Sequence, residues 1–172
     1  MKKNYNGCWP TMITPFTEDN KVDFKAISAI VDWYVERGCD GIFAVCQSSE
    51  MFFLSEQEKL DITKAVVEAA DSRVKVISSG HTSDDHQEQI QQLGAMGQTG
   101  VDAVVLVANR LAKQHEGSTV FNANAEDIFA QLPDVTFGLY ECPYPYLRLL
   151  TDEFLASCAQ RGKLIFLKDV SC

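Results

Sequence analysis

Lys168 is the residue whose setting is hardest to explain as plain scaffold. It closes the apolar run Leu164-Ile165-Phe166-Leu167 and so ends a buried strand, whereas lysine is normally solvated. An amine held out of water has a lowered pKa and can attack a carbonyl carbon as the neutral base. Tyr140 ends another apolar segment beside Phe137 and Leu139, where a phenol could relay protons. A third set, Gln47, Ser48, Ser49 and Glu50, follows the run Gly41 to Cys46. Hydroxyl and backbone N–H groups in such a turn could hold a carboxylate. Each position also has a structural reading. Lys168 could pair with Asp169 or Glu141, Tyr140 could be a core tyrosine, and the serines could cap a turn. Position alone does not choose between them.

Other chemistries find less support. His81, His86 and His115 show no metal-ligand spacing, so no metal is expected. There is no G-x-S-x-G elbow for a serine hydrolase. The turn Thr14-Pro15-Phe16-Thr17-Glu18-Asp19 lacks the glycines of a dinucleotide site. A net charge of -9 disfavours nucleic acid, whose phosphates need cationic side chains. No apolar stretch reaches the ~20 residues of a membrane span. The basic start, Met1 to Gly7, is not followed by the apolar segment of a signal peptide. Six cysteines without a C-x-x-C pair read as buried free thiols in a reducing cytosol. A cytoplasmic location is therefore expected.

The elements that must position these side chains alternate along all 172 residues. Strands are expected at Trp9 to Thr14, Gly41 to Cys46, Val74 to Ser79, Ala103 to Ala108, Val135 to Tyr140 and Leu164 to Lys168. Helices are expected between them. Asp23 caps the first, with Phe24, Ile27, Ile30, Val31, Tyr34 and Val35 at helical spacing and Gly38 past its end. Ser55-Glu56-Gln57-Glu58 is a capping box for a helix to about Ala70. Others run from about Asp84 to Met96, within Val120 to Gln131, and from a Thr151 cap to Ala159. Short Val/Ile/Leu-rich strands alternating with helices mean an α/β fold with a parallel sheet. The missing glycine fingerprint favours a (β/α)8 TIM barrel over an open sheet, as a single domain over 1–172.

Taken in order, several segments resemble the dihydrodipicolinate synthase / N-acetylneuraminate lyase family. Thr11-Met12-Ile13-Thr14-Pro15-Phe16 is similar to its first-strand "T-P-F" ending. Cys46-Gln47-Ser48-Ser49-Glu50 falls where the family has G-[TS]-T-G-E, and Leu54-Ser55-Glu56-Gln57-Glu58 resembles its "L-[ST]-x-x-E" helix start. Tyr140-Glu141-Cys142-Pro143 lies where the family has "Y-N-x-P", and Phe166-Leu167-Lys168-Asp169 resembles its "G-[IV]-K-[DE]" strand. The resemblance implies a class I lyase, aldolase or synthase in which Lys168 forms a Schiff base with pyruvate or another 2-keto acid. It implies that Tyr140 shuttles protons and that Gln47, Ser48 and Ser49 hold the carboxylate. It implies no cofactor and a homo-oligomer, a dimer or tetramer.

There are departures. Cys46 and Ser49 replace the two glycines of G-T-T-G-E. Pro145 stands where the synthase proper has an Arg, and Ala108-Asn109-Arg110 stands where a tyrosine pair is expected. These point away from the lysine-pathway synthase and toward a lyase, aldolase or dehydratase acting on another 2-keto acid. A complete barrel needs eight strands and about 250 residues, so the chain is expected to carry six βα units and to lack the C-terminal ones. An alternative at this point is a catalytically degenerate barrel fragment acting as a binding or structural subunit.

Overall fold

A computed structural model describes residues 5–170. Five helices form where the sequence supplies caps and apolar stripes. Helix α1, Phe24–Glu36, is capped by Asp23, whose carboxylate accepts the Ala26 N–H, and it buries Ile27 and Val31. Helix α2, Glu56–Ala70, opens with the reciprocal Ser55/Glu58 capping box and buries Ile62 and Val66. Helix α3, His86–Gly97, is capped by Asp85. Helix α4 spans Ser118–Gln131. Helix α5, Asp152–Arg161, is capped by Thr151 and ends at Gly162 in the left-handed region. Each side-chain cap satisfies a donor that the first turn would leave orphaned, contributing about 1 kcal/mol.

The strands are β1 Gly41–Phe43, β2 Lys75–Ser78, β3 Ala103–Val107, β4 Phe137–Tyr140 and β5 Leu164–Lys168. They form one parallel sheet in the order β1-β2-β3-β4-β5. A doubly wound sheet reverses its strand order at a switch point. This sheet never reverses, as a barrel requires, and five strands make part of a (β/α)8 TIM barrel.

Side chains alternate across the sheet. Val104, Leu106, Phe137 and Leu139 pack outward with α3, α4 and α5 residues such as Leu93, Ile128 and Phe154. Val105, Val107 and Tyr140 share the other cluster with Phe43, Val45 and Ile77. That concave face is filled by rings laid over small residues. A Cβ on Gly138 would lie 2.1 Å from the Phe166 ring, and one on Gly41 would lie 2.2 Å from the Trp9 ring. A cavity of about 210 Å3 remains among Tyr5, Trp9, Thr11, Phe43, Phe166 and Lys168.

Three expectations need correction. The segment Trp9 to Thr14 is not a full strand, because Pro10 has no N–H to give a ladder. It makes one parallel bridge, Thr11 to Phe43, in which Phe43 N–H donates to Pro10 O and Met12 N–H to Phe43 O. Regular strand after Gly41 stops at Phe43, although Ala44 N–H still donates to Ile77 O, and Ser79 N–H to Val45 O. The five described cysteines are free. Cys46, Cys142 and Cys158 are buried as expected, but Cys8 is exposed; Cys172 lies outside the described residues.

Candidate active site

The fold brings Lys168 and Tyr140 together through an irregularity. Phe137 pairs with Leu164, whereas Leu139 pairs with Leu167, so β5 carries one extra residue. Without that bulge Tyr140 would face Leu167. With it, Tyr140 and Lys168 are register partners, the re-aiming that bulges bring about. The Lys168 Nζ lies 3.9 Å from the centroid of the Tyr140 ring, within cation–π range for an ammonium. Lys168 is half-buried, less dry than its apolar run implies.

Tyr140 is buried, with Phe43 edge-on to its ring. Its hydroxyl donates to Gln47 Oε1 at 3.2 Å. Burial pushes its pKa up, with the Cys142 thiol adding to the rise, so the phenol holds its proton.

Gln47 opens a short 3-10 helix, Gln47–Ser49, at the end of the β1 ladder. Glu50 closes it in the left-handed region at φ 62° without being glycine. Ser48 is exposed and makes no side-chain hydrogen bond among the described residues. Ser49 behaves differently. It is fully buried, and its Oγ sits 2.5 Å from Met12 O and 2.9 Å from Ala44 O while accepting Cys46 N–H. Thr14 Oγ1 donates to Ser49 O at 2.7 Å. This revises the expectation for Ser49. Its hydroxyl is committed to the backbone, so it shapes the turn, and Gln47 and Ser48 keep the side-chain groups open to a ligand.

Residues outside the expected set hold the site in place. Asn109 Nδ2 lies within hydrogen-bond distance of the carbonyls of Cys142, Tyr144 and Tyr146, pinning the loop after β4. Glu141, one possible partner of Lys168, instead accepts the Leu150 N–H. Cys142 Sγ sits 3.3 Å from Gln47 Oε1, a contact that no local pattern announces. His81 is buried. Its Nε2 accepts Val107 N–H at 2.7 Å, leaving Nδ1–H to donate to Gln89 Oε1. Desolvation lowers its pKa to about 4, so it is a neutral strut between β2 and β3. No cluster of three or more His, Cys, Asp or Glu side chains suited to a metal occurs among the described residues. No helix among them is long and apolar enough to cross a membrane.

With this geometry in place, comparison with known proteins locates the chain. The sequence profile of the dihydrodipicolinate synthetase family matches residues 4–141, a span that includes the 47–49 turn and Tyr140 but stops short of Lys168. The 4-hydroxy-tetrahydrodipicolinate synthase of Laribacter hongkongensis is 29% identical over 165 residues, covering 96% of this chain and 55% of that protein. A chloride-inhibited dihydrodipicolinate synthase from Acinetobacter baumannii, complexed with pyruvate, superposes with a TM-score of 0.87 at 23% identity, covering 98% of this chain and 56% of that one. The Ruminococcus gnavus sialic acid aldolase gives a TM-score of 0.82 at 17% identity, covering 98% and 55%. These two structural likenesses establish the fold. The chain spans about half the length of the curated relatives it matches. A profile match over most of the described chain, joined to the parallel barrel sheet, settles its kinship: the chain belongs to the dihydrodipicolinate synthetase family.

Proposed function

We propose that this chain carries the Schiff-base lysine of a lyase or synthase that makes or breaks a carbon–carbon bond on pyruvate or a related 2-keto acid. The observation that carries this reading is the Lys168 amine resting on the ring of Tyr140, whose hydroxyl points to the 47–49 turn. The amine adds to the keto carbon. The resulting carbinolamine loses its hydroxyl as water, using the proton that Tyr140 supplies. The iminium so formed withdraws electrons from the adjacent bond, and the phenolate takes back a proton from the neighbouring carbon. Ser48 and Gln47 bind the keto acid's carboxylate through uncharged donors, and Ser49 holds their turn in shape.

In this reading the protein is cytoplasmic and works as a homo-oligomer. Phe53 at 83% exposure, Tyr144 and Leu149 provide apolar surface for such a contact. Borohydride added with pyruvate tests the chemistry. Hydride reduces the imine to a secondary amine, and the peptide bearing Lys168 gains the mass of pyruvic acid less one oxygen atom. An adduct that maps elsewhere, or none at neutral pH, rules the reading out.

A further inference from the structure

The carboxamide of Gln47 is held in one orientation by two donors from the far side of the site. Its Oε1 lies 3.2 Å from the Tyr140 hydroxyl and 3.3 Å from the Cys142 thiol. Cys142 is fully buried and stands on the loop that Asn109 pins. A thiol has one proton to give, and Tyr144 O also lies 3.3 Å from it. A carbonyl oxygen accepts two hydrogen bonds, so the thiol proton is shared between Gln47 Oε1 and Tyr144 O, which also lies 2.9 Å from Asn109 Nδ2. The reverse amide orientation would set an N–H against sulfur, a weak acceptor. With Oε1 turned inward, the Nε2 amide group faces away from Tyr140 and Cys142. It has no hydrogen-bond partner among the described residues.

We infer that Cys142 is a positioning residue for substrate specificity: its thiol fixes the Gln47 carboxamide so that the two N–H groups face a carboxylate next to the carbonyl captured by Lys168. The class selected is 2-keto acids over neutral ketones. The inference rests on the Lys168 reading and adds to it a thiol with no chemical step of its own. An amide oxygen is not a base at neutral pH, so Gln47 orients the Tyr140 proton without taking it.

The test compares two methyl ketones that each form a ketimine with the lysine, pyruvate and hydroxyacetone, of which the second lacks the carboxylate. Each is trapped by borohydride over a range of concentrations. A hydrogen bond to a charged group is worth about 1.5–3 kcal/mol, so losing its alignment moves half-saturation by about tenfold or more. In Cys142→Ala the concentration of pyruvate for half-maximal trapping rises about tenfold, while that for hydroxyacetone stays put. Cys142→Ser keeps a donor at this position in a slightly smaller side chain and restores the pyruvate value. Gln47→Glu puts a carboxylate where the N–H groups were and abolishes the preference for pyruvate. Equal losses for both probes in Cys142→Ala would mean a merely structural thiol and overturn the inference, as would a serine variant that behaves like alanine. If the unaltered chain traps neither probe, the Lys168 reading itself falls, and this assignment with it. If it traps both probes equally well, only the carboxylate assignment is lost.

Discussion

Tyr140 and Lys168 are direct register partners on neighbouring parallel strands, and the lysine amine lies 3.9 Å from the phenol's ring centroid. Two contacts therefore meet at Tyr140: its ring supports the amine, and its hydroxyl reaches Gln47. Tyr140→Phe separates them, because the ring stays and the proton leaves. Adduct formation with pyruvate should slow by about 100-fold, the usual range for losing a general acid, while thermal stability changes little. Stopped-flow or quenched borohydride trapping checks this. An unchanged rate would assign the phenol to packing alone. Lys168→Met should give no adduct at any pyruvate concentration.

The buried His81 makes stability depend on pH. Its neutral form is required, since Nε2 must accept the Val107 N–H. Desolvation lowers its folded pKa to about 4 from 6.5. Between those values the unfolded chain binds a proton that the folded chain does not. The stabilisation is present above pH 6.5 and is lost as pH falls toward 4. Between pH 7 and 5 the loss amounts to about 2 kcal/mol. His81→Gln retains an acceptor without that titration, so its urea-unfolding free energy should fall about 2 kcal/mol less over the same interval. Parallel pH profiles for the two proteins would refute the strut.

Ser49→Ala tests the turn. The substitution leaves the buried Cys46 N–H without its side-chain acceptor and frees the carbonyls of Met12 and Ala44. One unsatisfied buried group costs about 1–3 kcal/mol, so a loss of about 2 kcal/mol is expected in urea melts. Because Ser49 touches no open space, the borohydride adduct should still form at saturating pyruvate. A loss of trapping without a loss of stability would instead give Ser49 a direct role.

Much of the scaffold is written locally. Asp23, Ser55 with Glu58, Thr151 and Gly162 punctuate helices by chemistry that a neighbour three or four residues away can satisfy, and such signals are readable in one dimension. Lys168, Tyr140 and Gln47 are legible as strand-end residues of a parallel sheet. Their mutual contacts are not, because these depend on the extra residue in β5, and nothing in Leu164-Ile165-Phe166-Leu167 marks where pairing slips. Cys142 was equally hidden. A thiol in an apolar stretch reads as filling, and its partner Gln47 is 95 residues away. Ser49 misleads for the opposite reason. Its hydroxyl beside an exposed Ser48 looks available, yet burial turns it toward Met12 and Ala44.

The slip in β5 coincides with a close approach at Gly138. Phe166 lies on the strand face above Gly138, where a Cβ would come within 2.1 Å of the ring. In Gly138→Ala the ring must move, and Phe166 belongs to the bulged stretch that sets Lys168 opposite Tyr140. Overpacking of this kind costs about 1–3 kcal/mol. The displaced strand should also draw the amine off the phenol and slow trapping by pyruvate. A second substitution separates this cause from a general loss of order. Phe166→Leu removes the ring, so Gly138→Ala made in that background should cost much less than it does alone. Residues in contact couple by about 0.5–3 kcal/mol in such cycles. Additive effects on both stability and trapping rate would mean that Phe166 does not hold the register, and the bulge would need another cause.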